Sequence, residues 1–452
     1  MNKQENMLWQ IGETNAPVPP MAASQDGTEE IAQGYMQPYR ELGPIFRLLQ
    51  DGQEVIVLAG PESNVLVGRH GHELLASREF WEDFGKALAG EQGMGLSNQR
   101  DGEVNRARRA KSSGHYSRAK ILDQIPLMVE IVREHMQARP GTESFAILPV
   151  MQRIVAEQLG QLLVHHEVGD YLPDFVTFLD TAIENALWTK NFQAFFEPTF
   201  LRAKERTSEL GRLILARRRA ETTVERKPDL LDHMLADAAE HPELYSEEDL
   251  VQASVGPFLA GIDTVAYTSC SMLYNLSKNR DACTRVQAEV DDVFAQGPLN
   301  WERLKGMQAI HGAAMETLRM GNGQIGTSGQ RYRVVKPFTF AGYRLDAGDL
   351  VQHVSSLSHY LPELFPAPEV FDIDRYHAPR NEHRQPGAFS PFGLGDHLCL
   401  GAGIAEIQLM ANMAAILYAY QIEVDVAHDQ QPARSTRLPY GVKQLCMRVT
   451  TR

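Results

Sequence analysis

Three short stretches of this chain hold residues whose types and spacing could do chemistry. The first is FGLGDHLCLGAGIA, residues 392–405. Glycines 393, 395, 401 and 403 surround one thiol, Cys399. Glycine permits tight turns and close approach of backbone to a bound group. A lone cysteine is most often a small core hydrophobe, but this density of glycine is foreign to a core segment. A final helix is expected to follow at once, AGIAEIQLMANMAAILYAY from 402 to 420. The thiol therefore stands at a helix N-terminus, where unpaired N–H groups favour a thiolate. Such a thiolate is a metal ligand, and hydrogen bonds to its sulfur would tune its strength toward iron.

The second stretch is HGAAMETLRM, residues 311–320, in which Glu316 and Arg319 share a helix face. On a surface such a pair contributes little; the surrounding Ala, Met and Leu predict burial, where further partners are needed. The third is residues 250–279, which read as one long helix despite Gly256, Pro257 and Gly261. Glycine and proline inside a helix are costly, and a deformation kept in a core helix often marks a functional site. Within it lie Ala260, Gly261, Ile262, Asp263 and Thr264. A threonine there can also simply return its hydroxyl to the preceding turn.

Together these stretches resemble the cytochrome P450 family, and the resemblance covers roughly residues 35–450. Phe392, Gly393, Gly395, His397, Cys399, Gly401 and Ala405 fall in register with that family's cysteine loop. The resemblance implies a haem b whose iron takes Cys399 as metal ligand. It implies that Phe392 packs beside the sulfur, that Gly393 and Gly401 shape the loop, and that His397 contacts a haem propionate. It matches Glu316, Arg319 and, in EVFDIDRY, Arg375 to a structural network. It assigns Gly261 to leaving room for dioxygen, and Thr264 and Asp263 to catalysis, Asp263 as a proton relay. Arg109 and Arg333 correspond to propionate-binding arginines. Asn105 stands where relatives have His or Trp four residues before the arginine, so one propionate contact is altered. The loop MGNGQIG after Arg319 also departs from the family.

The implied activity is a monooxygenase reaction: one atom of dioxygen enters an apolar substrate such as a terpenoid, steroid or fatty acid. No flavin, iron–sulfur or nucleotide-binding pattern accompanies the haem segment. Electrons are thus expected from a separate ferredoxin and ferredoxin reductase, with Arg106, Arg109, Lys111 and Arg384 as a candidate basic docking face. The alternatives are a peroxide-driven peroxygenase, which the Asp263–Thr264 pair argues against, and a non-monooxygenase haem enzyme or sensor of the same fold. Phe80, Trp81, Phe84, Phe258, Val334, Val335, Leu438, Pro439 and Tyr440 are candidate pocket residues.

The elements that must position these residues are mostly helical. Apolar positions three and four apart recur from about 105 to 320, as in IPLMVEIVREHM and DACTRVQAEVDDVFAQ. GQEVIVLAGPESNVLVG predicts two short strands split by Gly-Pro, and RYRVVKPFTFAGYRLDAGDLVQHV a small hairpin system. Residues 360–398 lack a period and predict a long ordered loop. The expected fold is mainly α with a small β portion: a polar, Pro-containing leader over 1–30 and a single catalytic domain over 31–452. Of 452 residues, 58 are Asp or Glu and 44 Lys or Arg, a formal charge of -14 that argues against nucleic-acid binding. Four cysteines without a C-x-x-C pair suggest no disulfide framework. No apolar run is long enough for a signal peptide or an integral membrane segment, so a cytoplasmic monomer is expected.

Overall fold

The computed structural model describes residues 8–12, 15–22, 31–50, 52–77, 102–137, 141, 143–188, 191–221, 226–321, 330–425 and 445–452. The strands are β1 (Trp9–Ile11), β2 (Ile45–Gln50), β3 (Gln53–Ala59), β4 (Leu75–Ala76), β5 (Phe145–Ala146), β6 (Gln330–Val334), β7 (Phe338–Phe340), β8 (Tyr343–Leu345), β9 (Leu350–Val354), β10 (Tyr420–Val424) and β11 (Cys446–Thr451). The chain divides into two compact units: residues 1–81, 318–399 and 434–438, and residues 82–317, 400–433 and 439–452.

The first unit holds most of the β structure. A five-stranded sheet runs β2-β3-β9-β6-β4, with β3 and β9 parallel and the other pairs antiparallel. Ile45, Leu58, Tyr332, Val334 and Val351 bury one continuous apolar cluster against Leu66, Val67 and Leu74. Those last three lie on helix Pro61–Leu74, where a second strand is expected from the sequence. Helix wins there because Pro61 sits at its first turn, where a missing N–H costs nothing, and because residues 63, 64, 66, 67 and 74 are buried at helical spacing. Gly60 turns the chain into it with φ 89°. The leader is not merely a polar tail, since β1 pairs with β7 and Met21 bridges Arg47. From Leu361 to the cysteine the chain follows an ordered path with only two short 3-10 turns, Glu382–Arg384 and Gly395–His397.

The second unit is helical. Its axis is helix Glu247–Lys278, 32 residues long and unbroken through Pro257. Ser246 and Asp249 form a capping box at its start, and Arg108 clasps Asp249 through two nitrogens at 3.2 and 3.1 Å. Two π-turns, Gly160–Val164 and Ile183–Trp188, interrupt the surrounding helices. At the first, a Cβ on Gly160 would stand 2.2 Å from the His166 carbonyl oxygen, which demands glycine. β10, β11 and β5 make a small antiparallel sheet. Helix Ala402–Ala419 is long and apolar enough by composition to cross a membrane, yet 67% of it is buried, as in a core helix.

Candidate functional site

In the first unit, the path to Cys399 is set by two left-handed glycines, Gly393 at φ 77° and Gly395 at φ 63°. Left-handed backbone is strained for any residue with a Cβ. The Gly393 N–H donates to the Ser390 carbonyl (3.2 Å), and the Cys399 N–H reaches back to the Phe392 carbonyl (2.8 Å). A closed loop results, and its thiol is the exposed one among the four cysteines. Cys270 is fully buried, with its thiol pushed well above the usual range by desolvation. Helix Ala402–Ala419 starts three residues after Cys399, with Gly401 at its N-cap. Gly401 has an ordinary φ of -82°, so its backbone alone does not require glycine.

His397 and Ser77 share a hydrogen bond of 2.7 Å between Nε2 and Oγ. Ser77 directly follows β4, and Ala76 pairs with Arg333 across to β6. Arg333 is partly exposed and donates to the Gly348 carbonyl at 2.9 Å. The structure thus brings His397, Ser77 and Arg333 to one edge of one sheet. Ser77 was not foreseen; nothing in its local sequence marks it.

Behind the loop sits a buried polar frame. Arg319 is fully buried and donates to the carbonyls of His359 (2.7 Å) and Pro368 (2.6 Å). His359 answers it: Nδ1–H donates to the Arg319 carbonyl at 3.0 Å, while Nε2 accepts the Ser390 N–H at 3.0 Å. This ring ties the end of the helix carrying Arg319 to the start of the cysteine loop. Burial, aided by the Arg319 charge, lowers its pKa to about 3, so it is neutral. A second buried imidazole, His353, is lowered to about 3 by burial alone and donates to Asn64 Oδ1 at 2.9 Å. Asn64 Nδ2 in turn contacts the carbonyls of Ser355 (3.0 Å) and Gly387 (2.8 Å) and Ser358 Oγ (3.0 Å). Arg375 is fully buried, pairs with Glu382 at 3.0 Å and donates to the carbonyls of Pro366, Ala367 and Val370. Glu382 lies only seven residues on, so the turn closes locally. Glu316 is fully buried on its helix.

In the second unit, Asp263 and Thr264 lie on the long helix. Asp263 is 2% exposed and accepts from Gln152 Nε2 at 2.8 Å, so a neighbouring helix holds it rather than solvent. Thr264 returns its hydroxyl to the Ala260 carbonyl at 2.8 Å. Its lone pairs stay available as acceptors. A Cβ on Gly261 would stand 2.7 Å from Leu159 Cδ1. The side chain of Leu159 thus packs onto the open side of Gly261. Phe258 is likewise a core residue, edge-on to Phe175 at 5.6 Å. Asn105 and Arg109 fall one turn apart on helix Glu103–His115. Arg109 is partly exposed; the Asn105 side chain lies outside the described residues. So do Phe80, Trp81, Phe84, the loop from 322 and Leu438 to Tyr440. Val334 is buried and Val335 exposed.

These residues fit a haem by the chemistry of the donors: one exposed thiol in a glycine-turned loop, and a basic and hydroxyl group set at one sheet edge. Comparison with known proteins agrees. Residues 15–445 match the family model for Cytochrome P450. A sterol 14alpha-demethylase of Mycolicibacterium vanbaalenii is 31% identical over 201 residues, 43% of this chain and 43% of that protein. A cyclooctat-9-en-7-ol 5-monooxygenase of Streptomyces melanosporofaciens is 30% identical over 198 residues, 43% of this chain and 42% of that protein. Both alignments span less than half of the relative's length. A retinoic acid-bound cyanobacterial CYP120A1 shares the fold with a TM-score of 0.77 at 22% identity, over 97% of this chain and 100% of its own. The heme domain of cytochrome P450DA does so with a TM-score of 0.77 at 17% identity, over 97% and 98%. With a family model spanning nearly all of it, and a cysteine loop built as described, the chain belongs to the cytochrome P450 family, whose cofactor is haem.

Proposed function

We propose that the chain is a monooxygenase whose haem b is held by Cys399 on the iron and by His397, Arg333, Arg109 and Asn105 on the propionates. The observation that carries this is the Cys399 loop: an exposed thiol, a main-chain bond to Phe392 and two left-handed glycines. Phe392 flanks the sulfur, and Gly393 and Gly401 keep side chains out of the loop. A bound haem supplies an iron that activates dioxygen, with the thiolate favouring O–O cleavage. The protein's part is orientation, protons and exclusion of water. Thr264, already donating to Ala260, accepts a hydrogen bond through its lone pairs. Asp263 relays protons, with its Oδ1 held in place by Gln152. Gly261 keeps the long helix close to its neighbour at that point.

Insertion into unactivated carbon requires a substrate bound mainly by apolar burial. A terpenoid or steroid fits the two relatives named above, one a sterol demethylase and one acting on cyclooctat-9-en-7-ol; a fatty acid meets the same physical requirement. Electrons come from a separate ferredoxin and its reductase. Residues 31–452 act as one catalytic domain, as a monomer, and sparse cysteine usage supports a reducing, cytoplasmic setting.

The test is ligand replacement. Cys399→His should abolish the thiolate-type spectrum of the reduced, carbon monoxide-bound protein. Replacing Cys270, Cys283 or Cys446 should leave it. A thiolate spectrum that survives Cys399→His refutes the assignment. Product formation with NADH, ferredoxin and reductase, compared with hydrogen peroxide alone, decides between monooxygenase and peroxygenase.

A further inference from the structure

The helical unit has a cavity of about 610 Å³, walled by the end of helix Glu103–His115, the turns at 118–124, residues 162–165 and the start of helix Leu230–Glu240. Most charges around it are already answered. Asp123 pairs with Lys227. Asp229 is held by Arg218 at 2.6 and 2.8 Å and by His165 at 2.8 Å. Asp232 takes Arg218 and Arg226, and Asp237 takes His115 at 3.1 Å. Lys120 and His233 differ. Each has the other as its hydrogen-bond partner, Nζ to Nε2 at 3.3 Å, and among the described residues no carboxylate pairs with either. The His233 ring also lies flat on His115, centroids 4.6 Å apart and planes within 2°. Three basic groups thus converge on one wall without an acid between Lys120 and His233.

We propose that this cavity is a second small-molecule site, and that it takes a small organic carboxylate whose head sits on Lys120 and His233. A volume of this size suits a small organic molecule. Leu122 and Leu162 on the cavity wall offer apolar contact for its body. A carboxylate suits the charge better than a phosphate dianion, because Asp123 and Asp229 face the same space. The carboxylate would give Lys120 a charge-assisted bond in place of an imidazole. It would also reverse the present condition of His233, whose pKa is lowered by burial and by the Lys120 and His115 charges, against the opposing pull of Asp232 and Asp229. Binding therefore takes up a proton, and affinity rises as pH falls through the histidine range.

The experiment titrates the haem-loaded protein with 2-naphthoate by calorimetry while the Soret band is followed in the same solution. Saturable binding with an unmoved Soret band is expected. Lys120→Ala, at an exposed position, and His233→Ala should each weaken it about tenfold, as should raising the pH from about 6 to about 8. Inorganic phosphate should bind more weakly than the naphthoate. Absence of saturable binding, binding that moves the Soret band, or binding indifferent to Lys120→Ala overturns the proposal.

Discussion

Lowering the pH below about 6.5 should cost this protein stability through two buried histidines, and the frame behind the cysteine loop says by how much. His353 and His359 are buried and neutral, each lowered from 6.5 to about 3. The unfolded chain binds a proton at both positions that the folded chain refuses. Their contribution is therefore complete above pH 6.5 and is lost as pH falls from there toward 3. Each refused proton costs about 1.4 kcal/mol per pH unit. At about pH 5 the loss is about 2 kcal/mol per histidine, about 4 for the two. That is a large share of the roughly 5–15 kcal/mol that folded domains usually possess. The assay is urea unfolding of the haem-loaded protein at about pH 7 and about pH 5, followed by circular dichroism. His359→Gln keeps a donor for the Arg319 carbonyl and an acceptor for the Ser390 N–H but cannot be protonated. It should remove about 2 kcal/mol of the loss seen at about pH 5. A midpoint that does not move between the two pH values, or a His359→Gln variant with the full dependence, would show that these rings are not held neutral by their surroundings.

Two further outcomes test the same frame. Arg375→Met should cost about 3–5 kcal/mol, seen as a lower urea midpoint and lower haem retention, because it leaves the carbonyls of Pro366, Ala367 and Val370 without their donor; an unchanged midpoint would refute the structural role. Gly387→Ala should be far worse than Gly342→Ala by the same midpoint, although both have positive φ, because a Cβ at 387 would lie 2.0 Å from the Pro61 carbonyl oxygen while one at 342 meets nothing within 4 Å; equal midpoints would refute the steric account.

Much of this architecture was legible in the sequence where local pattern and tertiary need agree. Residues 125–136 fold as a helix along their apolar period and residues 402–419 as a helix buried almost all round, and the glycine spacing around Cys399 marks the turns that Gly393 and Gly395 make. Misreading came where local pattern is ambiguous. NVLVG looks like a strand, but Pro61 and the burial of residues 63, 64, 66 and 67 make it helical. Partners were the least legible. Asp263 meets Gln152, which is 111 residues away, and Ser77 meets His397 from 320 residues away. Such contacts are fixed by how elements pack, and a single sequence does not encode them in any local period. The two lowered histidines belong here too: HVSSLSH looks polar, and only burial reveals why its rings stay neutral.

The parallel pairing of β3 with β9 has a consequence for biosynthesis. Ile56 to Ala59 find their partners at Val351 to Val354, so the first unit is assembled from two pieces of chain that leave the ribosome far apart in time. Between Ala59 and Leu350 lie roughly 290 residues, about 15–60 s of translation at about 5–20 residues per second. During that interval β2 and β3 have an open edge, which is a template for wrong pairing. The helices from Glu103 to Lys278 emerge before β9 and can collapse on local contacts. The cysteine loop, at 392–399, comes out only after the sheet that supports it can close. Slowed translation before residue 350 should therefore raise aggregation more than slowed translation after residue 400.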